Sequence, residues 1–186
     1  MAVLNVANII TFIRLTMIIP LFFFTLKPRY YFIALILFWL AMLTDVVDGF
    51  IARRFNMVTN LGKFMDQITD KLLINAILLI FLWNRLLPLW FVTLVILRDI
   101  IVGGVRMFLA SKEIIVPANI WGKMKTLLQT FLISLIYLAQ VFPINHIIVD
   151  IVMYITAIVV IFSGYTYFRQ AIPYFWEKEE KNEHFK

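Results

Sequence analysis

Asp45 and Asp48 stand three residues apart, and Asp66 and Asp70 four apart, in a chain that is otherwise oil-like. On a helix either spacing puts the two carboxylates of a pair on one face. Gly49 and Ala52 continue the first stripe, with Arg53 at its edge, and Gly62 lies one turn before the second pair. If the two helices are antiparallel neighbours joined by a turn over 54–60, all four carboxylates converge on one pocket. The small residues would keep its walls low, so that a flat or bulky ligand could approach the backbone. Carboxylates gathered without sulfur or a nearby histidine suit hard divalent cations such as Mg²⁺, Mn²⁺ or Ca²⁺. Two such ions about 4 Å apart serve in-line phosphoryl displacement. The spacing also admits two other readings: relay carboxylates of an ion or proton transporter, and interfacial side chains that snorkel.

The elements that must position these residues are membrane helices. Of the 186 residues, 63% are hydrophobic and 15% charged, against about 25% charged in a soluble domain. A soluble domain of this length has no interior for so much apolar surface, so the expected solvent is lipid. Six runs reach the roughly 20 apolar residues that a span needs: 6–26, 30–52, 61–84, 86–109, 119–142 and 147–169. Lys27-Pro28-Arg29, Arg54 to Asn60, Asn84 to Pro88, Ser111 to Asn119 and Pro143 to His146 break them. The first run is too long for a signal-peptide core and lacks a basic start, so it is expected to be a retained span. The expected fold class is all-α: a polytopic membrane domain over 1–172 with about six transmembrane helices, and a charged tail over 173–186. No internal repeat is evident.

Arg53, Arg54, Lys63, Arg106, Lys112, Lys123, Lys125, Arg169 and the tail lysines fall at one set of span ends, and Lys27, Arg29 and Arg85 at the other. The richer side is expected to be cytoplasmic, with both termini on it. The net charge of +6 suits an anionic leaflet. Four of the six aspartates lie in the 26 residues from Asp45 to Asp70. A charge at the centre of a span costs about 2.5–3.5 kcal/mol on insertion scales, so something must compensate. A non-catalytic scaffold gives no reason to bear that cost, and a transporter would more often show an internal repeat. The absence of cysteine removes disulfides, thiolate zinc sites and a cysteine nucleophile.

The pattern Asp-x2-Asp-Gly-x2-Ala-Arg-x8-Gly-x3-Asp-x3-Asp, spelled by Asp45, Asp48, Gly49, Ala52, Arg53, Gly62, Asp66 and Asp70, resembles the signature of the CDP-alcohol phosphatidyltransferases. With the six-span layout, the resemblance covers nearly the whole chain. It implies that fold and transfer of a phosphatidyl group from CDP-diacylglycerol to an alcohol, with release of CMP. By position Asp45, Asp48 and Asp66 would be metal ligands. Asp70 would be the general base with a share in the second metal, and the cofactors two Mg²⁺ or Mn²⁺ ions. Gly49, Ala52, Arg53 and Gly62 would line the cytidine diphosphate pocket beside the ligating aspartates. The resemblance also implies a homodimer in a bacterial cell membrane, with its active site toward the cytoplasm and no nucleic-acid partner.

Arg98, Arg106, Lys123 and Lys125 bear on the acceptor. Arg98 and Arg106 are eight apart, about 80° around a helix, and can flank one pocket. Lys123 and Lys125 open a helix after Pro117, where backbone N–H groups also favour anions. These cations would hold an acceptor phosphate; the plainer alternative is positive-inside topology. Arg98-Asp99-Ile100-Ile101, Arg106 and Gly122-Lys123-Met124-Lys125-Thr126 resemble the phosphatidylglycerophosphate synthase branch, as does Asn8-x2-Thr11-x2-Arg14 with Pro20. The implied acceptor is sn-glycerol 3-phosphate, with Asn8 and Thr11 within reach of the nucleotide. Two departures leave room for inositol phosphate, or for phosphatidylglycerol in cardiolipin synthesis. Asp99 stands where the family usually has Glu, and Asp66-Gln67-Ile68-Thr69-Asp70 where it tends to read Asp-Pro-x-Ala-Asp. His146 and His184 lie too far off to join the aspartates, Gly103-Gly104 is expected to allow close helix packing, and the five tryptophans fall mostly near span ends.

Overall fold

The computed structural model describes residues 6–54, 60–111, 114 and 119–176, with side chains described at 13–47, 54, 68–111, 114 and 119–174. Its helices are α1 (Val6–Thr25), α2 (Tyr31–Arg54), α3 (Asn60–Trp83), α4 (Leu89–Ser111), α5 (Ile120–Val141) and α6 (His146–Trp176). Each of the six apolar runs has become one helix, with bounds within a few residues of those expected except at the end of α6. There the helix passes Pro173 and ends at Trp176. A proline so near a helix end removes one backward bond and leaves only a single turn beyond it.

Local chemistry explains the reversals. Pro28 opens a single 3-10 turn (Pro28–Tyr30) that leads directly into α2. After α3, Arg85 takes a left-handed φ of 58°. The Leu86 and Leu87 N–H groups then donate back to the Phe81 carbonyl at 2.8 and 3.3 Å, closing the end of the helix. Asn119 caps α5 by accepting from the Trp121 N–H at 3.3 Å, and Asn145 does the same for the Ile147 N–H at 3.0 Å.

α1 packs on α2 and α3, α2 on α5, α5 on α6, and α6 on α4, while α3 touches both α4 and α5. Buried side chains such as Leu21, Phe38, Leu78, Phe81, Phe91 and Tyr137 form one core. They come from the C-terminal parts of α1, α3 and α5 and the N-terminal parts of α2, α4 and α6, so the core sits toward one end of the bundle. The outer surface is apolar too: Phe23, Trp83, Leu89, Ile151 and Ile158 are all exposed. An apolar exterior around an apolar interior belongs in lipid.

By length and composition alone, Pro28–Val47, Ile120–Val141 and His146–Tyr174 can cross a membrane. In α3 and α4 the apolar run is interrupted by charge: Lys63, Asp66, Asp70 and Lys71 in one, Arg98, Asp99 and Arg106 in the other. These helices are held by their neighbours. The chain is an integral membrane protein.

Candidate active site

Six helices that alternate in direction bring six particular ends together: the starts of α1, α3 and α5 and the ends of α2, α4 and α6. The polar residues singled out in the sequence lie toward these ends. Asn8 and Thr11 are on the first turns of α1. Asp45, Asp48, Gly49, Ala52 and Arg53 are on the last turns of α2, and Gly62, Asp66 and Asp70 on the first turns of α3. The side chains at positions 8, 11, 48, 52, 53 and 66 lie outside those described.

Asp45 and Asp70 do meet, and Arg14 is the reason. This arginine, on α1, is only 1% exposed. Its Nη1 donates to Asp45 Oδ1 and, at 2.9 Å, to Asp70 Oδ1. One guanidinium nitrogen thus joins a carboxylate from α2 to a carboxylate from α3. Asp45 remains 31% and Asp70 50% exposed at the side chain, so both are open to a ligand. Thr69, next to Asp70, is fully buried and turns into the bundle. Among the described residues no group of three or more metal-ligating side chains gathers; Asp48 and Asp66, the other members expected, are outside that set.

A second cluster, mainly cationic, lies between α4, α5 and α6. Asp99 is 5% exposed and sits between two cations. Lys125 Nζ donates to both its carboxylate oxygens, at 2.6 and 2.8 Å, and Arg98 Nη1 donates at 3.0 Å. Burying such a pair is tolerable because each charge is matched; removing either partner would strand the other. Lys125, expected at the acceptor phosphate, is therefore itself buried and engaged by Asp99. Arg98 also donates to Ser163 Oγ, and Arg106 to the Tyr167 hydroxyl. Lys123 lies exposed on the first turn of α5.

Lys71 connects the two clusters. It follows Asp70 on α3, and its ammonium packs against Gly103 of α4, where a Cβ would lie 3.0 Å from Nζ. Gly103 thus makes room for a cation, not simply for a neighbouring helix. Gly104 has open space around it.

Arg14 follows Asn8 and Thr11 at intervals of three, which puts it toward their face of α1, but its pairing with aspartates emerges only in the fold. That spacing of three was the available signal. Lys71 had a fainter one, its position beside Asp70. Ser163 and Tyr167 had none, because they lie in the apolar run of α6 and belong to no motif.

The sequence model of the CDP-alcohol phosphatidyltransferase family matches residues 4–162. The chain is 36% identical over 177 residues to a CDP-diacylglycerol–glycerol-3-phosphate 3-phosphatidyltransferase of Rickettsia bellii, covering 92% of this chain and 97% of the relative. It is 39% identical over 139 residues to the protein of the same name in Bacillus subtilis, covering 72% of this chain and 70% of the relative. A probable phosphatidylglycerophosphate synthase of Mycobacterium tuberculosis is 32% identical over 90% of this chain and 82% of its own length. Taken with the six-helix bundle and the aspartates on α2 and α3, these matches mean that the chain belongs to the CDP-alcohol phosphatidyltransferase family and is an enzyme of it.

Proposed function

We propose that this enzyme transfers the phosphatidyl group of CDP-diacylglycerol to sn-glycerol 3-phosphate, giving phosphatidylglycerol phosphate and CMP. The observation that carries the reading is the pairing of two sites at one end of the bundle. One presents the carboxylates Asp45 and Asp70, the other the cations Arg98 and Arg106, and Lys71 lies between them. A pyrophosphate donor and a phosphorylated acceptor need those two environments side by side.

Asp70 is the general base. It takes the proton of the acceptor's hydroxyl as that oxygen attacks the phosphorus bonded to diacylglycerol, and the bond from that phosphorus to the CMP oxygen breaks. Arg14 holds the Asp70 and Asp45 carboxylates in register from α1. Gly49, Ala52, Arg53 and Gly62, with Asn8 and Thr11, take the cytidine diphosphate. Arg98, Arg106 and Lys123 face the acceptor phosphate, and Lys125 supports that pocket through its pair with Asp99.

Enzymes of this family are generally metal-dependent. The donor chemistry fits: Asp45 and Asp70 come from two helices to one cationic nitrogen, an all-oxygen arrangement suited to hard cations. Asp45, Asp48, Asp66 and Asp70 would hold two Mg²⁺ or Mn²⁺ ions, which when bound neutralise pyrophosphate charge and stabilise the transferring phosphorus.

The basic excess at this end, with Arg54, Arg106, Lys123 and Arg169 against Lys27, Arg29 and Arg85 at the other, supports a cytoplasmic active site. We take the working unit to be a homodimer. The test is CMP release from CDP-diacylglycerol by purified enzyme with Mg²⁺ or Mn²⁺ and a panel of alcohols. sn-Glycerol 3-phosphate is expected to be the preferred acceptor; turnover with inositol phosphate or phosphatidylglycerol in its place would move the enzyme to another branch.

A further inference from the structure

Tyr167 lies on α6, 2% exposed, and both arginines of the acceptor site converge on it. The Arg106 guanidinium carbon is 4.7 Å from the centre of its ring and that of Arg98 is 5.6 Å away. The Tyr167 hydroxyl accepts from Arg106 Nη2 and, at 3.2 Å, from the backbone N–H of Asn119, the residue that caps α5. One turn earlier, Ser163 is fully buried and its hydroxyl accepts from Arg98 Nη2.

Two glycines set the fit. At Gly122 an added Cβ would stand 3.1 Å from the Tyr167 hydroxyl oxygen, and at Gly164 one would stand 3.4 Å from Arg98 Cγ. α6 therefore grips both arginines, and the Tyr167 hydroxyl abuts the first turn of α5.

Two guanidinium groups near each other repel, and each is flexible when free. A ring whose face attracts cations can hold both, and a buried hydroxyl adds a direction to one of them. Cations fixed in advance lose less freedom when an anion arrives between them.

We propose that Tyr167 is a positioning residue for the acceptor. It sets the separation and direction of Arg98 and Arg106 so that both address one phosphate group, and by doing so favours phosphorylated over neutral alcohols. This rests on the assignment of the two arginines to the acceptor phosphate.

The experiment is steady-state CMP release by the full-length enzyme in detergent, with each substrate varied while the other is saturating. Tyr167→Phe keeps the ring and removes the hydroxyl; it is expected to raise the KM for sn-glycerol 3-phosphate about fivefold, with kcat and the KM for CDP-diacylglycerol within about twofold. Tyr167→Leu removes both supports and is expected to raise the same KM about thirtyfold or more, Phe recovering part of that loss. An unchanged acceptor KM in both variants overturns the proposal. So does an equal fall in kcat and in the efficiency toward both substrates, which would mark a purely structural residue. If the leucine variant does not fold, Tyr167→Phe alone decides by the same criteria.

The wild-type enzyme separates this from failure of the acceptor assignment. Saturation by sn-glycerol 3-phosphate with unmoved variants sinks Tyr167 alone. If the wild type prefers a neutral alcohol, both fail.

Discussion

The two ends of the bundle solve the problem of polar groups in lipid in different ways. At the end where α1 finishes and α2 begins, Lys27, Arg29 and Arg85 stay exposed, and the polar side chains turned into the bundle are neutral and satisfy one another. Thr25 Oγ1 and Tyr137 Oη lie 2.6 Å apart, and Asn84 Nδ2 donates to Tyr31 Oη at 2.8 Å and to the Thr25 carbonyl at 3.3 Å. Around them the rings of Tyr31, Phe81 and Tyr137 meet edge to face at 4.9 to 6.5 Å. At the opposite end the polar groups are charged, and among the described side chains cations outnumber carboxylates. The first arrangement leaves nothing over and holds four helices together. The second keeps charge in surplus, available to orient the chain in the membrane and to bind an anion.

The comparison can be broken at several points. The largest effect is expected from Asp70→Asn, which should lower kcat by about a thousandfold, in the range for loss of a general base. CMP release at saturating substrates measures it, and turnover near wild type would remove Asp70 from that role. Next, Phe81→Ala at the neutral end should cost about 3 kcal/mol of stability through a cavity, read as a lower unfolding midpoint in detergent. Its KM for both substrates should be unchanged where the variant remains folded; a selective loss of acceptor binding would mean that the two ends are not separable. Arg106→Ala should raise the KM for sn-glycerol 3-phosphate roughly tenfold and leave that for CDP-diacylglycerol in place, consistent with loss of one charge-assisted contact. Equal effects on both would sink the division between nucleotide and acceptor sites. The smallest effect is expected from Thr25→Val, about 1 kcal/mol of stability from an orphaned Tyr137 hydroxyl, with kinetics intact.

The same contrast explains what could be read from the sequence. Helices α1 to α6 were legible because runs of about 20 apolar residues bounded by proline, asparagine and charge have few other structures in lipid. The aspartates were legible because spacings of three and four are local, and a helix fixes them without help from the fold. Contacts across helices were legible for the Asp45 and Asp70 pairs, which a short turn joins, and not for residues outside any motif. Nothing near Arg98 in the chain points to Ser163, and nothing near Arg106 points to Tyr167, because their meeting depends on which faces of α4 and α6 turn toward each other. Lys125 shows the limit from the other direction. Its position at the start of α5 suggested a phosphate contact, yet Asp99, next to Arg98, receives it on both oxygens. The continuation of α6 through Pro173 was missed because proline was taken as an end, where it costs one bond.

The strict alternation of the helices makes the active site a matter of parity. Each half of it is built from ends that share a side only because the intervening number of crossings is even or odd in the right way. Removing one helix would send every later contribution to the opposite side of the membrane, even if each surviving helix folded correctly. A single helix inserted between α2 and α3 or between α3 and α4 would divide Asp45, Asp70, Arg98 and Arg106 between the two sides, and a second insertion at the same place would reunite them. The candidate site is thus protected from small rearrangements in sequence and acutely exposed to a single span added between α2 and α4.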